Sequence, residues 1–215
     1  MTCSSYDVVV VGGGHNGLVA AAYLAEAGRS VLVLERLAQV GGAAISQQVF
    51  DGVDVRLSAY SYLVSMLPDR IVEDLRLEVR LTDRAVASYT ATVRDGRPAG
   101  LLVERDEGPA TATSFLELTG SDAEFAGWQR FYGRLATLAE DLAPTLTERL
   151  LSSAQLAARL RDPQLWHDLR DRPLADVVAG HLADDVVRGV ALTDGLIGTF
   201  ADVHAADGLA GRCFL

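Results

Sequence analysis

The chain has 215 residues, of which 49% are hydrophobic and 22% are charged, and its formal net charge is -10. This is the composition of a globular protein with a sizeable core. The acidic balance and the singly scattered basic residues argue against a nucleic-acid partner and disfavour binding to anionic membrane surfaces. All 19 basic residues are arginine, which excludes Schiff-base chemistry on a lysine. The two cysteines, Cys3 and Cys213, are too far apart in sequence to form a redox CxxC pair.

The first predicted elements are a strand, a helix and a second strand. Residues 6–11 are a run rich in β-branched side chains, typical of a parallel strand that is buried on both faces. A helix is predicted over residues 17–28, with Gly28 as a left-handed C-terminal cap, and a second buried strand over residues 30–35. This βαβ unit predicts an α/β fold class, with a Rossmann-like parallel sheet.

A loop with a glycine doublet follows the second strand. Extended structure with an Asp-Gly turn is predicted over residues 49–67, and a short helix over residues 68–78, with Pro68 at its first position. A β-hairpin is predicted from strand-like runs at residues 85–93 and 98–104, because the Asp-Gly pair between them suits a tight turn.

The chain from about residue 120 onward is predicted to be mainly helical. Ser121 and Glu124 have the spacing of a capping box at the start of an amphipathic helix. Further helical stretches are predicted over residues 145–160 and 173–196. We therefore place a boundary near residue 82, between an α/β nucleotide-binding part and a mixed α+β part that ends in helices.

The segment GGGHNG contains the pattern GxGxxG at Gly12, Gly14 and Gly17, after a predicted strand and at the start of a helix. Gly12 allows a tight turn, Gly14 lets a pyrophosphate approach the backbone, and Gly17 lets the helix pack closely on the strand. The helix N-terminus supplies unpaired N–H groups and the positive end of the helix dipole. The pattern predicts a dinucleotide site rather than a purely structural turn.

Glu35 ends the second predicted strand, 18 residues beyond Gly17. A carboxylate there can accept hydrogen bonds from both hydroxyls of an adenosine ribose and would repel a 2′-phosphate, which disfavours NADP. Arg36 could contact the adenine or the ribose, or be an ordinary surface residue. His15 lies in the loop that faces the phosphates, either as a hydrogen-bonding residue or as one that is merely tolerated there. Asn16 tolerates unusual backbone angles and can also donate to phosphate.

Other sites have little support in the sequence. His167, His181 and His204 lack the spacing of metal ligands, so no metal site is predicted. The start of the chain lacks the positively charged region of a signal peptide, and the apolar tract over residues 8–25 is interrupted by glycines and polar residues, which argues against a transmembrane segment.

The segment YDVVVVGGGHNGLVAAAYLAEAGRSVLVLERLAQVGGAA resembles the N-terminal signature of FAD-dependent oxidoreductases of the amine oxidase and phytoene desaturase superfamily. In that signature a GxGxxG loop and a strand-end Glu are followed by a short spacer and a glycine doublet, as Gly41 and Gly42 follow Glu35 here. The chain is most similar to the phytoene desaturase-like branch. That branch includes FAD-type carotenoid ketolases and the proteins named pyridine nucleotide-disulphide oxidoreductase domain-containing protein 2.

The resemblance implies FAD bound in an extended conformation, with the ribose at Glu35, the pyrophosphate at the first helix, and the doublet near the diphosphate and ribityl region. It implies hydride transfer to the flavin from a lipophilic substrate, for which a polyene is one candidate. Residues 1–82 would form the N-terminal part of the FAD-binding domain, and residues 83–215 part of a substrate or lid domain. The expected location is cytoplasmic, with peripheral membrane contact left open, and no catalytic residue or oligomeric state is assigned.

The chain departs from this family in three ways. Ala43 stands where many relatives have Arg, the redox CxxC is absent, and no second glycine-rich motif completes a flavin site, so the chain is expected to be an N-terminal portion. Tyr60 and Tyr62 either line the flavin or substrate entrance or form an aromatic pair in a core strand. Two alternatives stay open: a non-catalytic nucleotide-binding or interaction fragment, and an NAD-dependent dehydrogenase, for which no catalytic His or Lys constellation is evident.

Overall fold

A computed structural model of the chain describes residues 5–60, 63–64, 66–197 and 199–214. The chain divides into two compact units, Met1–Arg80 and Leu81–Leu215, and each is described by itself. The assignment of one to cofactor binding and the other to substrate stays a prediction.

The first unit begins with the expected βαβ arrangement. Its elements are β1 (Val8–Val11), α1 (His15–Glu26) and β2 (Val31–Leu34). The two strands pair in parallel from Val8↔Val31 to Val11↔Leu34, which confirms the Rossmann-like α/β fold class. Helix α1 starts two residues before the predicted position. Gly28, with φ of 79°, follows its C-cap, and its amide donates to the carbonyl of Ala25. Gly28 is therefore the left-handed cap that the sequence predicts.

The prediction that β1 is buried on both faces is wrong. Val9 is 50% exposed and Val11 is 84% exposed. Residues of a strand alternate between its two faces, and Val10 lies on the face that packs against α1, where a Cβ added at Gly17 would be 3.4 Å from Val10 Cγ1. The opposite face of this two-stranded sheet has no second layer among the described residues, so its valines contact solvent.

The remainder of the first unit is less regular than predicted. Two short antiparallel strands, β3 (Ser46–Gln48) and β4 (Arg56–Ser58), flank the turn that contains Gly52. Among its described residues, the extended segment predicted over residues 49–67 therefore contains β4 as its one strand. Tyr60 is 80% exposed rather than in a core strand, and Tyr62 lies outside the described residues.

Helix α2 is also shorter than predicted. It spans Asp69–Asp74, with Pro68 as its N-cap rather than its first helical residue. The pyrrolidine ring fixes φ of Pro68 at -64°, but its ψ of 137° is extended, so the helix begins one residue later. The helix does not reach residue 78, because Arg76 adopts a left-handed φ of 50°.

The second unit opens with the predicted hairpin. Strands β5 (Val86–Arg94) and β6 (Arg97–Glu104) pair in antiparallel, and Asp95 and Gly96 have φ of 53° and 73°. Positive φ at both central residues defines a type I′ turn, which the Asp-Gly pair favours. Helix α3 (Pro109–Thr119) follows and was not predicted, although Pro109 at its start and Gly120 just after its end are ordinary helix boundaries.

Six further helices follow α3 in the part of the chain that the structure describes. They are α4 (Asp122–Leu142), α5 (Ser153–Ala157), α6 (Pro163–Asp171), α7 (Leu174–Ala179), α8 (Asp185–Leu196) and α9 (Leu209–Phe214). The helix predicted over residues 145–160 is thus mostly loop and 3-10 turn around short α5. The stretch over residues 173–196 is two helices, because the chain turns at Gly180 and restarts at Asp184, whose side chain caps α8.

The capping box predicted at Ser121 does not form. Ser121 caps α4 by accepting a hydrogen bond from the amide of Ala123. Glu124 instead turns away and accepts hydrogen bonds from the amides of Ala183 and Asp184, at 2.8 and 2.9 Å. It thereby joins the start of α4 to the start of α8.

The apolar core of the described chain lies in the second unit. Its fully buried members come from the hairpin and from helices α3, α4, α6, α7 and α8, and include Leu101, Phe115, Phe131, Leu138, Leu165, Leu169, Val178 and Val187. In the described part of the first unit, the buried hydrophobic side chain is that of Ala21 alone. The two units therefore differ greatly in how much apolar surface they bury.

Candidate functional site

The glycine loop connects the end of β1 to the start of α1. Gly12 has φ of 100°, which favours glycine, and its amide donates to the carbonyl of Leu34 at 2.7 Å. A Cβ added at Gly17 would lie 2.3 Å from the carbonyl oxygen of Gly12, so a side chain at this position would collide with backbone. The loop therefore has the tight turn and the close helix packing that the spacing predicts.

The N-terminus of α1 is open at the loop. Gly14 is the N-cap, and no side chain among the described residues caps the helix there. A Cβ added at Gly14 would approach only the Cα of Gly42, at 3.9 Å. The amides of the first helical turn have no acceptor within the helix, so this end can donate to an anion.

Glu35 lies immediately beyond β2 and is held by two backbone amides. Its Oε2 accepts a hydrogen bond from the amide of Gly13 at 2.7 Å, and its Oε1 accepts one from the amide of Leu37 at 2.9 Å. The hydrogen bond from Leu37, followed by that from Gly13, lowers the pKa of the Glu35 carboxyl. The carboxylate is thus ionised and oriented, and each oxygen keeps a lone pair that can accept a ribose hydroxyl.

The glycine doublet packs directly against the glycine loop. The amide of Gly41 donates to the carbonyl of Gly13 at 2.7 Å, and Gly41 pairs with Gly14 in an isolated parallel bridge. A Cβ added at Gly42 would lie 2.9 Å from the Cα of Gly14. Together, the loop, the carboxylate of Glu35 and the doublet form one cluster around the start of α1.

This cluster fits the adenosine and pyrophosphate parts of a dinucleotide. It offers free helix N-terminal donors, an ionised carboxylate at the end of the neighbouring strand, and glycines where backbone segments approach closely. The remaining predicted residues lie at its border: His15 and Asn16 are exposed on the first turn of α1, and Arg36 is exposed beside Glu35. Their contact with a ligand stays a prediction, as does that of each glycine.

Sequence reasoning missed the part that Gly13 plays. Gly13 is not one of the three fixed glycines of GxGxxG, yet its amide donates to Glu35 and its carbonyl accepts from Gly41. A Cβ at this position would lie 2.9 Å from Val40 Cγ1 and 3.2 Å from Glu35 Oε2. The signal that could have found it is the glycine between Gly12 and Gly14, at a position where the pattern accepts any residue.

The second unit has an apolar groove of about 400 Å³ along α4. Leu135 and Leu142 of α4 and Phe214 of α9 line it, and the Tyr132 hydroxyl donates to Asp194 Oδ2 at 3.1 Å at its rim. Burial raises the pKa of Asp194, more than the hydrogen bond from Tyr132 lowers it. The sequence contained no pattern that would have placed these two side chains together.

The histidines of the second unit lie apart from any cluster of metal ligands. His181 stacks on Phe131, with ring centroids 4.8 Å apart, and burial lowers the pKa of its imidazole. Over residues 5–60, 63–64, 66–197 and 199–214, no group of three or more His, Cys, Asp or Glu is placed to hold a metal. Cys213 is exposed and has no disulfide partner among these residues, and Cys3 lies outside them.

No helix in the described part of the chain is both long and apolar enough to cross a membrane.

Comparison with known proteins identifies relatives across almost the whole chain. Residues 10–69 match the family of NAD(P)-binding Rossmann-like domains. An uncharacterized protein of Mycobacterium tuberculosis is 47% identical over 98% of this chain and 40% of its own length. Pyridine nucleotide-disulfide oxidoreductase domain-containing protein 2 of Mus musculus is 30% identical over 93% of this chain and 38% of its own length.

A shorter match is to part of a desaturase. Carotenoid 3,4-desaturase of Haloarcula japonica is 48% identical over 48% of this chain and 21% of its own length. The relatives from Mycobacterium tuberculosis and Mus musculus match almost all of this chain, and the chain spans about 40% of their length.

Proposed function

We propose that this chain, which belongs to the FAD-dependent oxidoreductases of the phytoene desaturase and amine oxidase superfamily, holds the adenosine and pyrophosphate parts of FAD in a hydride-transferring enzyme. One observation carries the proposal. The Glu35 carboxylate is fixed by the amides of Gly13 and Leu37, beside the open N-terminus of α1 and the doublet that packs on it.

Each part of the cluster has a role in holding the cofactor. Glu35 would accept the ribose hydroxyls, the amides at the start of α1 would donate to the pyrophosphate, and Gly14 would leave room for its approach. Gly41 and Gly42 would hold the glycine loop in place, because both already pack against it. FAD, when bound, supplies the hydride acceptor, while these residues orient it.

The substrate class that we propose is lipophilic, with a polyene as one candidate. The relative from Haloarcula japonica is named for desaturation of a carotenoid. In this chain the groove along α4 offers apolar surface from Leu135, Leu142 and Phe214 for such a molecule. We further propose a cytoplasmic location with peripheral membrane contact, which would give access to a substrate that partitions into lipid.

A second candidate function is nucleotide binding without turnover by the chain alone. The observation that favours it is coverage, since the chain spans about 40% of its full-length relatives. Both candidates require the adenosine cluster, and they differ in whether this chain reduces a bound flavin when substrate is added. An NAD-dependent dehydrogenase would use the same cluster but would prefer NAD over FAD.

The test is a titration of the purified chain with FAD, ADP, NAD and FMN. Binding of FAD and FMN is monitored by flavin fluorescence, and binding of ADP and NAD by calorimetry. We expect FAD and ADP to bind and FMN to bind far more weakly, because the cluster recognises the adenosine half. Glu35→Gln should lower the affinity for FAD and for ADP by roughly tenfold, about 1.4 kcal/mol of binding free energy. The substitution removes the charge that strengthens the hydrogen bonds to the ribose.

Glu26→Gln is the matched control, since Glu26 is an exposed carboxylate at the end of α1, away from the loop. The affinity of the Glu26→Gln variant for FAD should equal that of the unaltered chain. Failure of the chain to bind either FAD or ADP, or equal weakening by the two substitutions, would show that the cluster is not the cofactor site. Tighter binding of NAD than of FAD would favour the dehydrogenase.

A further inference from the structure

Gly13 is buried where the glycine loop meets the end of β2 and the glycine doublet, and both of its backbone groups have partners. Its amide donates to Glu35 Oε2 and its carbonyl accepts from the amide of Gly41, each at 2.7 Å. A Cβ added at Gly13 would lie 2.9 Å from Val40 Cγ1, so the Val40 side chain covers this residue. Because buried backbone groups are costly to leave without partners, these two bonds hold the three segments together.

The bond from Gly13 to Glu35 ends on a side chain that has conformational freedom of its own. Glu35 is half-buried, and its carboxylate is held by the amides of Gly13 and Leu37. Ordering a long side chain in this way loses rotamer entropy. A ligand that bonds to the same carboxylate orders it beforehand, so the bond from Gly13 then forms with a smaller loss of entropy.

The carbonyl of Gly13 connects this carboxylate to the glycine doublet. It accepts the amide of Gly41, which also pairs with Gly14 in the parallel bridge. Gly41 and Gly42 have φ of 123° and 57°. Glycine adopts these angles readily, but it loses more conformational freedom when it is ordered than any other residue does. The doublet therefore depends strongly on a fixed position of Gly13.

We propose that Gly13 is a positioning residue that couples the two sides of the cofactor cluster, so that a ribose bound at Glu35 also orders the doublet. This inference rests on the proposed function, because it assigns the ribose hydroxyls to Glu35. The coupling is reciprocal: an ordered doublet raises the affinity of Glu35 for the ribose by the same factor. The doublet packs on Gly14, the N-cap of α1, so the ribose would also fix the loop at which we propose that the pyrophosphate binds.

The experiment measures hydrogen exchange of the Gly41 amide by NMR, relative to that of the Gly12 amide, which donates to the carbonyl of Leu34. The chain is saturated either with ADP or with 2′,3′-dideoxy-ADP, which keeps the pyrophosphate but lacks both ribose hydroxyls. Each nucleotide is used at the same multiple of its own dissociation constant, so that binding stabilises the first unit equally. We expect ADP to slow the exchange of Gly41, relative to Gly12, by roughly fivefold more than the dideoxy nucleotide does.

A second comparison needs no nucleotide. Glu35→Ala removes the acceptor of the Gly13 amide and should speed the exchange of Gly41, relative to Gly12, by roughly fivefold. Glu35→Gln keeps an oxygen that can accept and should retain part of the protection. Glu26→Ala removes an exposed carboxylate at the end of α1 and should leave the ratio unchanged. The Gly12 amide serves as the reference for any general loss of stability in these variants.

The two comparisons separate this inference from the proposed function. Equal exchange ratios with ADP and with the dideoxy nucleotide would overturn the coupling and leave the proposed cofactor site intact. An unchanged ratio in Glu35→Ala would overturn the link through Gly13. If the chain bound neither nucleotide, the proposed function and the ribose part of this inference would fail together, whereas the comparison without nucleotide would still decide whether Glu35 acts on the doublet.

Discussion

The glycines near the start of the chain differ from one another in what a side chain would meet. At Gly17 an added Cβ would lie 2.3 Å from a backbone carbonyl oxygen, and at Gly42 it would lie 2.9 Å from a backbone Cα. At Gly12 nothing lies within 4 Å, and the requirement is for a positive φ. The pattern GxGxxG is thus the sum of separate steric and conformational demands.

Gly17→Ala should destabilise the first unit and abolish nucleotide binding, because the added methyl group must displace either α1 or the loop. We expect a loss of roughly 2–4 kcal/mol in the free energy of unfolding. Thermal melting with and without ADP measures both effects.

Gly133→Ala is the matched control, since Gly133 lies in the interior of α4 with nothing within 4 Å of its added Cβ. Alanine there should stabilise the chain by roughly 0.5–1 kcal/mol, because it restricts the unfolded chain and favours the helix. Equal effects of the two substitutions would contradict the role given to the contact with Gly12.

Some of these residues could be predicted from sequence and others could not. Gly12, Gly17 and Glu35 follow from local spacing, since each acts within one βαβ unit. The bonds of Gly13 depend on where two other segments lie, and Glu124 bonds to residues about sixty positions away. The capping-box spacing at Ser121 fits the local sequence, but the Glu124 carboxylate instead accepts from two partly buried amides that would otherwise lack this acceptor.

Helices of the second unit are joined by partly buried polar contacts as well as by the apolar core. Glu124 of α4 accepts the amides of Ala183 and Asp184, and Asp184 caps α8 while pairing with Arg94 of β5. The hairpin, α4 and α8 thus meet at one chain of hydrogen bonds. Breaking such contacts lowers stability, because the remaining partners stay partly shielded from water.

Glu124→Ala should lower the free energy of unfolding by roughly 2–4 kcal/mol, since it leaves two amides without an acceptor. Glu124→Gln keeps an oxygen that can accept both hydrogen bonds and should recover about half of that loss. Asp122→Ala is the control for a general charge effect, because Asp122 is exposed on the same turn. Chemical denaturation of the three variants checks this order, and equal losses in Ala and Gln variants would refute it.

Across the whole molecule, burial is concentrated in one of the two units. The core side chains belong to residues beyond 98, whereas large apolar side chains of the first unit, such as Val11, Tyr60 and Met66, are mostly exposed. A unit with few buried apolar contacts opens at low free energy cost. The sequence predicted the parallel strands and the hydrophobic runs correctly. It could not show that one face of β1 and β2 has no covering layer among the described residues.

Hydrogen exchange measured by mass spectrometry should show directly that the first unit is less stable than the second. Amides of the first unit should exchange much faster than those of α4, α6 and α8. FAD or ADP at about 100 times its dissociation constant should stabilise the first unit by roughly 2.7 kcal/mol and slow its exchange. Protection that rises equally in both units, or only in the second, would contradict the location of the cofactor cluster.

The segment between Glu35 and Gly41 is tied at both ends to Gly13, through the carboxylate on one side and the amide on the other. Residues 36–40 are all exposed. The segment is therefore a short loop whose two ends both bond to Gly13. This arrangement sets a minimum length for the loop but no maximum. An inserted residue can bulge into solvent, whereas a deleted residue must pull either the carboxylate or the doublet off the loop. The spacing that marks the motif in sequence is thus a minimum span that the backbone has to bridge.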